Sequence, residues 1–110
     1  MKKQMFAVAA LFAFASFAHA GDLAAGKAKA EAQCAACHAQ NGNWNKPLDP
    51  SYPKLAGQHK DYLIQALHEY QSGNRNNAIM GGQAATLNDQ DIENLATYLS
   101  SLNGDLYLKK

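Results

Sequence analysis

The chain's only two cysteines stand in the string Cys34-Ala35-Ala36-Cys37-His38. On a helix, positions i, i+3 and i+4 share a face, so this spacing turns two thiols and an imidazole to the same side. Three chemistries use such a set. C-x-x-C-H is the signature of haem c attachment, in which the thiols form thioethers with the haem vinyl groups and the imidazole reaches the iron. A C-x-x-C dithiol also serves as a redox disulfide, but that motif accompanies a βαβ pattern that this sequence lacks. A structural zinc site would take both cysteines and two of His38, His59 and His68, leaving a histidine directly beside a cysteine ligand. The pentapeptide favours haem attachment, and small Ala35 and Ala36 let the backbone approach a flat macrocycle.

An iron held by His38 needs a ligand on its other face. Met1 and Met5 belong to an N-terminal leader, which leaves Met80, in Asn76-Asn77-Ala78-Ile79-Met80-Gly81-Gly82. The glycines after it allow close packing against a flat ligand, and Met is an established axial partner of His. The competing role for Met80 is to fill a gap in the core. His59 and His68 are the competing sixth ligands; His59 opens a helix as a solvated or capping side chain, and His68 lies off the apolar stripe, towards water.

These residues have to be positioned by a single small domain. Lys2 and Lys3 precede an apolar run from Met5 to Phe17, and Ala18-His19-Ala20 precedes Gly21. That is the layout of a cleaved secretory leader over residues 1–20, too short to span a membrane as a helix; the competing reading is an uncleaved membrane anchor. The mature domain, 21–110, then holds eight basic and nine acidic side chains, a formal charge of −1, and none of the four phenylalanines. No basic stripe remains for nucleic acid. A domain of this size without Phe has a marginal core, and a large apolar cofactor would complete it.

The periodicity predicts an all-α fold. A first helix covers Leu23 to Gln33 with Asp22 as N-cap and Lys27, Lys29 and Glu31 facing water. A second covers Gln58 to Gln71, with an apolar stripe of Tyr62, Leu63, Ala66, Leu67 and Tyr70 and a stop at Ser72-Gly73-Asn74. A third covers Asp89 to Leu102, capped by Asn88, with acidic Asp89, Asp91 and Glu93 at its positive end and Ile92, Leu95, Ala96, Leu99 and Leu102 inward. Loops at 40–57, with all three prolines, and at 74–87 are long for a compact domain, and wrapping a cofactor accounts for them. The tail from Asp105 to Lys110 reads as a fraying end.

Together with the attachment motif, the strings Tyr52-Pro53-Lys54-Leu55-Ala56-Gly57-Gln58, Met80-Gly81-Gly82-Gln83-Ala84 and Leu87-Asn88-Asp89-Gln90-Asp91-Ile92 resemble the class I c-type cytochromes. The similarity is greatest to the short bacterial monohaem type and to the halves of dihaem cytochrome c4, and it covers nearly all of Gly21 to Leu102. It implies three main helices and long loops wrapped around one covalent haem c and its iron. It also implies that the Pro53 carbonyl accepts a hydrogen bond from His38, that Leu55 packs on the haem face, and that the first and last helices cross near Gly26 under Tyr98. The family often has Pro at or near the position after the ligand Met, where this chain has Gly81-Gly82. Trp44, Tyr52 and Arg75 are the candidate donors to the haem propionates, against readings as a surface Trp, a packed Tyr and a solvated Arg.

A haem closed by His38 and Met80 has no open position for substrate, and the sequence offers no general base, nucleophile or phosphate loop. The expectation is an electron carrier, not an enzyme. It would shuttle single electrons between redox partner proteins in the periplasm, without stable membrane insertion after leader cleavage. The alternatives are a gas-binding or sensing cytochrome with a displaceable Met80, and a cytochrome subunit of a specific oxidoreductase complex.

Overall fold

The computed structural model describes residues 20–106. Apart from Ala20, the expected leader lies outside the described residues, as do positions 107–110 of the tail.

Asp22 opens the first helix as expected: its Oδ1 accepts from the Ala25 N–H at 2.9 Å, satisfying a donor that a helix start leaves unpaired. Helix α1, Leu23–Lys29, runs into a π-helical turn, Ala30–Cys34, and continues as α2, Ala35–His38. The sequence pattern predicts one regular helix stopping at Gln33. Instead the helical path carries on through the whole attachment motif, with a wide turn just before it. Such π turns recur at functional sites. Lys27 and Glu31 lie in water and approach to 3.9 Å, whereas Lys29 is half-buried and reaches Asp91 at 3.8 Å.

Helix α3, Lys60–Ser72, begins two residues after the predicted start and ends at Gly73, whose φ of 83° is the left-handed cap that glycine adopts without steric penalty. Leu63 is its buried residue, and Ile64 and Leu67 pack against the core. Tyr62, expected inside, is 47% exposed. It turns outward to Arg75, whose Nη1 donates to the Tyr62 hydroxyl at 3.1 Å and whose guanidinium lies 5.1 Å from the Tyr70 ring centroid.

A short helix, α4, Ala78–Ala84, occupies part of the predicted 74–87 loop. Its two glycines hide it, because glycine is among the poorest helix formers. Asn77 caps it, accepting from the Met80 N–H at 3.0 Å. Helix α5, Asp89–Ser101, starts with a capping box in which Asn88 and Asp91 exchange backbone and side-chain hydrogen bonds of 2.8 and 3.0 Å. Ile92, Leu95, Ala96 and Leu99 are buried along it, and Leu102 packs at the edge of the core.

Helices α1 and α5 cross at Gly26, where a Cβ would strike the Asn94 carbonyl and crowd Tyr98 Cβ. The crossing expected near Gly26 and Tyr98 is therefore present. Trp44 is buried at 7% exposure and stands edge-on to Tyr98, 6.2 Å between centroids; it is a core residue and not a surface one. Among the described residues no strand forms, and the one sheet-like pairing is an isolated bridge between Gln40 and Asn43. The 40–57 loop is tied down by Leu48 N–H to Cys37 O at 2.9 Å and by Gly57 N–H to Leu99 O at 3.0 Å. It returns the chain from α2 to α3 with Pro53 beside His38.

Candidate functional site

His38 closes α2 and is only 6% exposed. Its Nδ1 lies 2.9 Å from the Pro53 carbonyl oxygen. A carbonyl only accepts, so Nδ1 carries a proton, and in the neutral ring Nε2 keeps its lone pair. That tautomer is the one a metal requires when it binds through Nε2, and the hydrogen bond fixes the ring orientation. Tyr52 lies against the same imidazole, tilted by 48° at a centroid distance of 6.3 Å. Of the three candidate propionate donors only Tyr52 stands beside His38, because Trp44 is in the core and Arg75 is engaged by Tyr62 and Tyr70.

Cys34 ends the π turn and Cys37 lies in α2, both unbridged and half-buried. Burial pushes the Cys34 thiol up to about 11, which Lys29 opposes and Cys37 reinforces. Redox-active dithiols depend on a depressed thiol pKa, so this environment argues against the disulfide-exchange alternative. Zinc fares no better: among the described residues no three His, Cys, Asp or Glu side chains gather to hold a metal. His59 sits exposed at the N-cap of α3. His68 is exposed too, its Nδ1 3.1 Å from Gln71 Oε1. The residues present do fit an attached haem, with two free thiols and an imidazole of the correct tautomer in one short helical stretch.

Met80 is half-buried on α4, and Leu55 is half-buried against the core. Two residues that the periodicity does not single out hold α4 in place. Gln71 Nε2 donates to the Ala84 and Leu87 carbonyls, each at 2.9 Å. Gln33 Nε2 lies 2.7 Å from Thr86 Oγ1 and 3.1 Å from the Gln83 carbonyl. Nothing in a polar side chain at a helix end announces such a turn back onto another element's carbonyls.

Comparison with known proteins agrees with this geometry. A cytochrome c4 of Pseudomonas aeruginosa is 41% identical over 92% of this chain and 49% of its own length. Cytochrome c-554(548) of Halomonas halodenitrificans is 42% identical over 74% of this chain and 98% of its own. The crystal structure of reduced recombinant cytochrome c4 from Pseudomonas stutzeri superposes with a TM-score of 0.68 at 36% identity, covering 79% of this chain and 48% of that one. The chain thus spans about half the length of the cytochromes c4 it matches. The cytochrome c family profile matches residues 23–103, so the chain belongs to the cytochrome c family, a c-type cytochrome with covalently bound haem c.

Proposed function

We propose that this chain is a monohaem carrier of single electrons in the periplasm, with Cys34 and Cys37 as the thioether positions, His38 and Met80 as the axial ligands, and residues 1–20 as the leader removed on export. The observation that carries the reading is the 2.9 Å bond between His38 Nδ1 and the Pro53 carbonyl, which leaves Nε2 as the ligating atom. When bound, the haem supplies a one-electron iron couple, and Met as sixth ligand favours the upper part of its potential range. The chain's part is to hold its ligands still. His38 is buried and anchored to Pro53, and Met80 is carried on a helix capped at its own N–H. Leu55 and Pro53 form the wall on the His38 side. Fixed ligands make the two oxidation states differ little in geometry, which suits rapid transfer. No helix among the described residues is long and apolar enough to cross a membrane.

Expression in a host competent for cytochrome maturation tests the proposal. The expected product is red, starts at Gly21, retains its haem mass after denaturation, shows a weak Met–iron band in the near infrared, and ignores carbon monoxide when reduced. Rapid carbon monoxide binding by the native protein would mean a gas-binding cytochrome instead.

A further inference from the structure

Helix α4 has seven residues, two of them glycine, and Ala84 is its one buried side chain. Helices this short do not persist on their own propensity, so whatever fixes α4 fixes Met80. The polar contacts at its N-terminal end are local: the Asn77 side chain on Met80 N–H, and Gly81 N–H on the Asn77 carbonyl at 2.7 Å. Longer-range anchoring sits at the other end. There Gln71, the penultimate residue of α3, spends both amide hydrogens on two carbonyls, Ala84 O in the last turn of α4 and Leu87 O just beyond it. Ala84 O also accepts from the Leu87 N–H at 3.0 Å, so Gln71 adds a second donor there, and the same Nε2 supplies a donor to Leu87 O from another element. The other end of the amide is occupied as well, with Oε1 facing His68 Nδ1 at 3.1 Å. Gly81 meanwhile comes close to α3, a Cβ there standing 3.7 Å from the Tyr70 carbonyl. The amide is oriented from both sides and locks the end of α4 to α3.

We propose that Gln71 is a positioning residue for Met80, holding α4 at the distance from which the thioether stays on the iron; this rests on the reading of Met80 as the sixth ligand. Without the Gln71 donors, Leu87 O loses its side-chain partner and Ala84 O keeps only the local Leu87 N–H, so the ties from α3 are gone. Helix α4 then separates from α3 more often, and Met80 leaves the iron in a larger fraction of molecules.

The test compares holoprotein of the wild type, Gln71→Leu, Gln71→Asn and Met80→Ala. Gln71→Asn keeps an amide one methylene too short to span both carbonyls, and it serves if the Leu variant yields no holoprotein. The expected result is that the Gln71 variants bind carbon monoxide about tenfold faster than the wild type, the shift in open population that losing one or two such hydrogen bonds brings. Their near-infrared Met–iron band should also disappear at a lower temperature than the far-ultraviolet helical signal, an early loss that a purely structural role would not produce. Wild-type carbon monoxide rates in both Gln71 variants, with the band and the helix melting together, would overturn the proposal. If Met80→Ala itself kept the band and remained indifferent to carbon monoxide, the ligand assignment would fall, and this proposal with it.

Discussion

Asn94, at 8% exposure, is the one polar side chain among the buried residues of α5, and its Oδ1 explains why it is there. That oxygen accepts from the Asp22 backbone N–H and from Gln90 Nε2, both at 2.8 Å. It therefore joins the start of α1 to the middle of α5, next to the Gly26 crossing. Asn94→Ala should lower stability by about 1–2 kcal/mol, because a partly buried backbone donor loses its acceptor. Gln90→Ala removes one donor from an acceptor that keeps its other bond, and it should cost less than half as much. Thermal melting of the two holoproteins checks the order; equal losses would mean that the Asp22 bond contributes nothing. The same distinction separates the legible from the illegible part of the site. The proposed thioether positions, Cys34 and Cys37, show in the sequence because covalent attachment would fix both residue type and spacing, and His38 follows by adjacency. Pro53 contributes a backbone carbonyl, which no side-chain pattern encodes, and only family resemblance points to it. Gln33, Gln71 and Asn94 are amides whose roles depend on which distant carbonyl or N–H the fold delivers to them.

At the level of elements, α1 and α5 form the frame that the other helices join. Their backbones approach so closely at Gly26 that a methyl group would meet the Asn94 carbonyl, not a movable side chain. Gly26→Ala must therefore push the helices apart. Overpacking of this kind costs about 1–3 kcal/mol, and for a domain near this size each kcal/mol lowers the melting temperature by about 4–8 °C. A melting temperature within a degree of wild type would show that the crossing can open freely. The crossing near Gly26 came from the family resemblance alone, whereas the two helices themselves were legible in the sequence because their starts are marked, by Asp22 and by Asn88. Helix α4 was not, since Gly81 and Gly82 depress its propensity and its stability comes from Gln71 and Gln33 on other elements. The π turn at Ala30–Cys34 is likewise invisible to periodicity, which assumes a constant 3.6 residues per turn.

Over the whole molecule, charge decides how the proposed carrier should meet redox partners. Residues 21–110 carry eight basic and nine acidic side chains, and between Asn76 and Asn88 there is no charged side chain at all. Arg75, at one margin of this segment, is held by Tyr62 and Tyr70. Ile79, beside Met80, is 61% exposed. The rim nearest the expected sixth ligand is thus neutral and mildly apolar, while the four ion pairs among the described residues lie on α1, the π turn, α3, α5 and the loops. Electrostatic steering needs a sustained field of one sign, and this surface has none at the place where it would act. Encounter should then depend on small, weakly binding apolar contacts. Raising the salt from about 0.01 to 0.15 M shortens the screening length from about 30 to about 8 Å, yet the bimolecular electron-transfer rate with a physiological donor should change by less than about threefold, because there is little attraction to screen. Stopped-flow measurement across that range checks it, and a tenfold fall would mean that a charged face docks instead. Ile79→Lys supplies the complementary measurement. One charge placed on the neutral rim should introduce a salt dependence that the native protein lacks, rising or falling with the sign of the partner, if electrons leave past Met80.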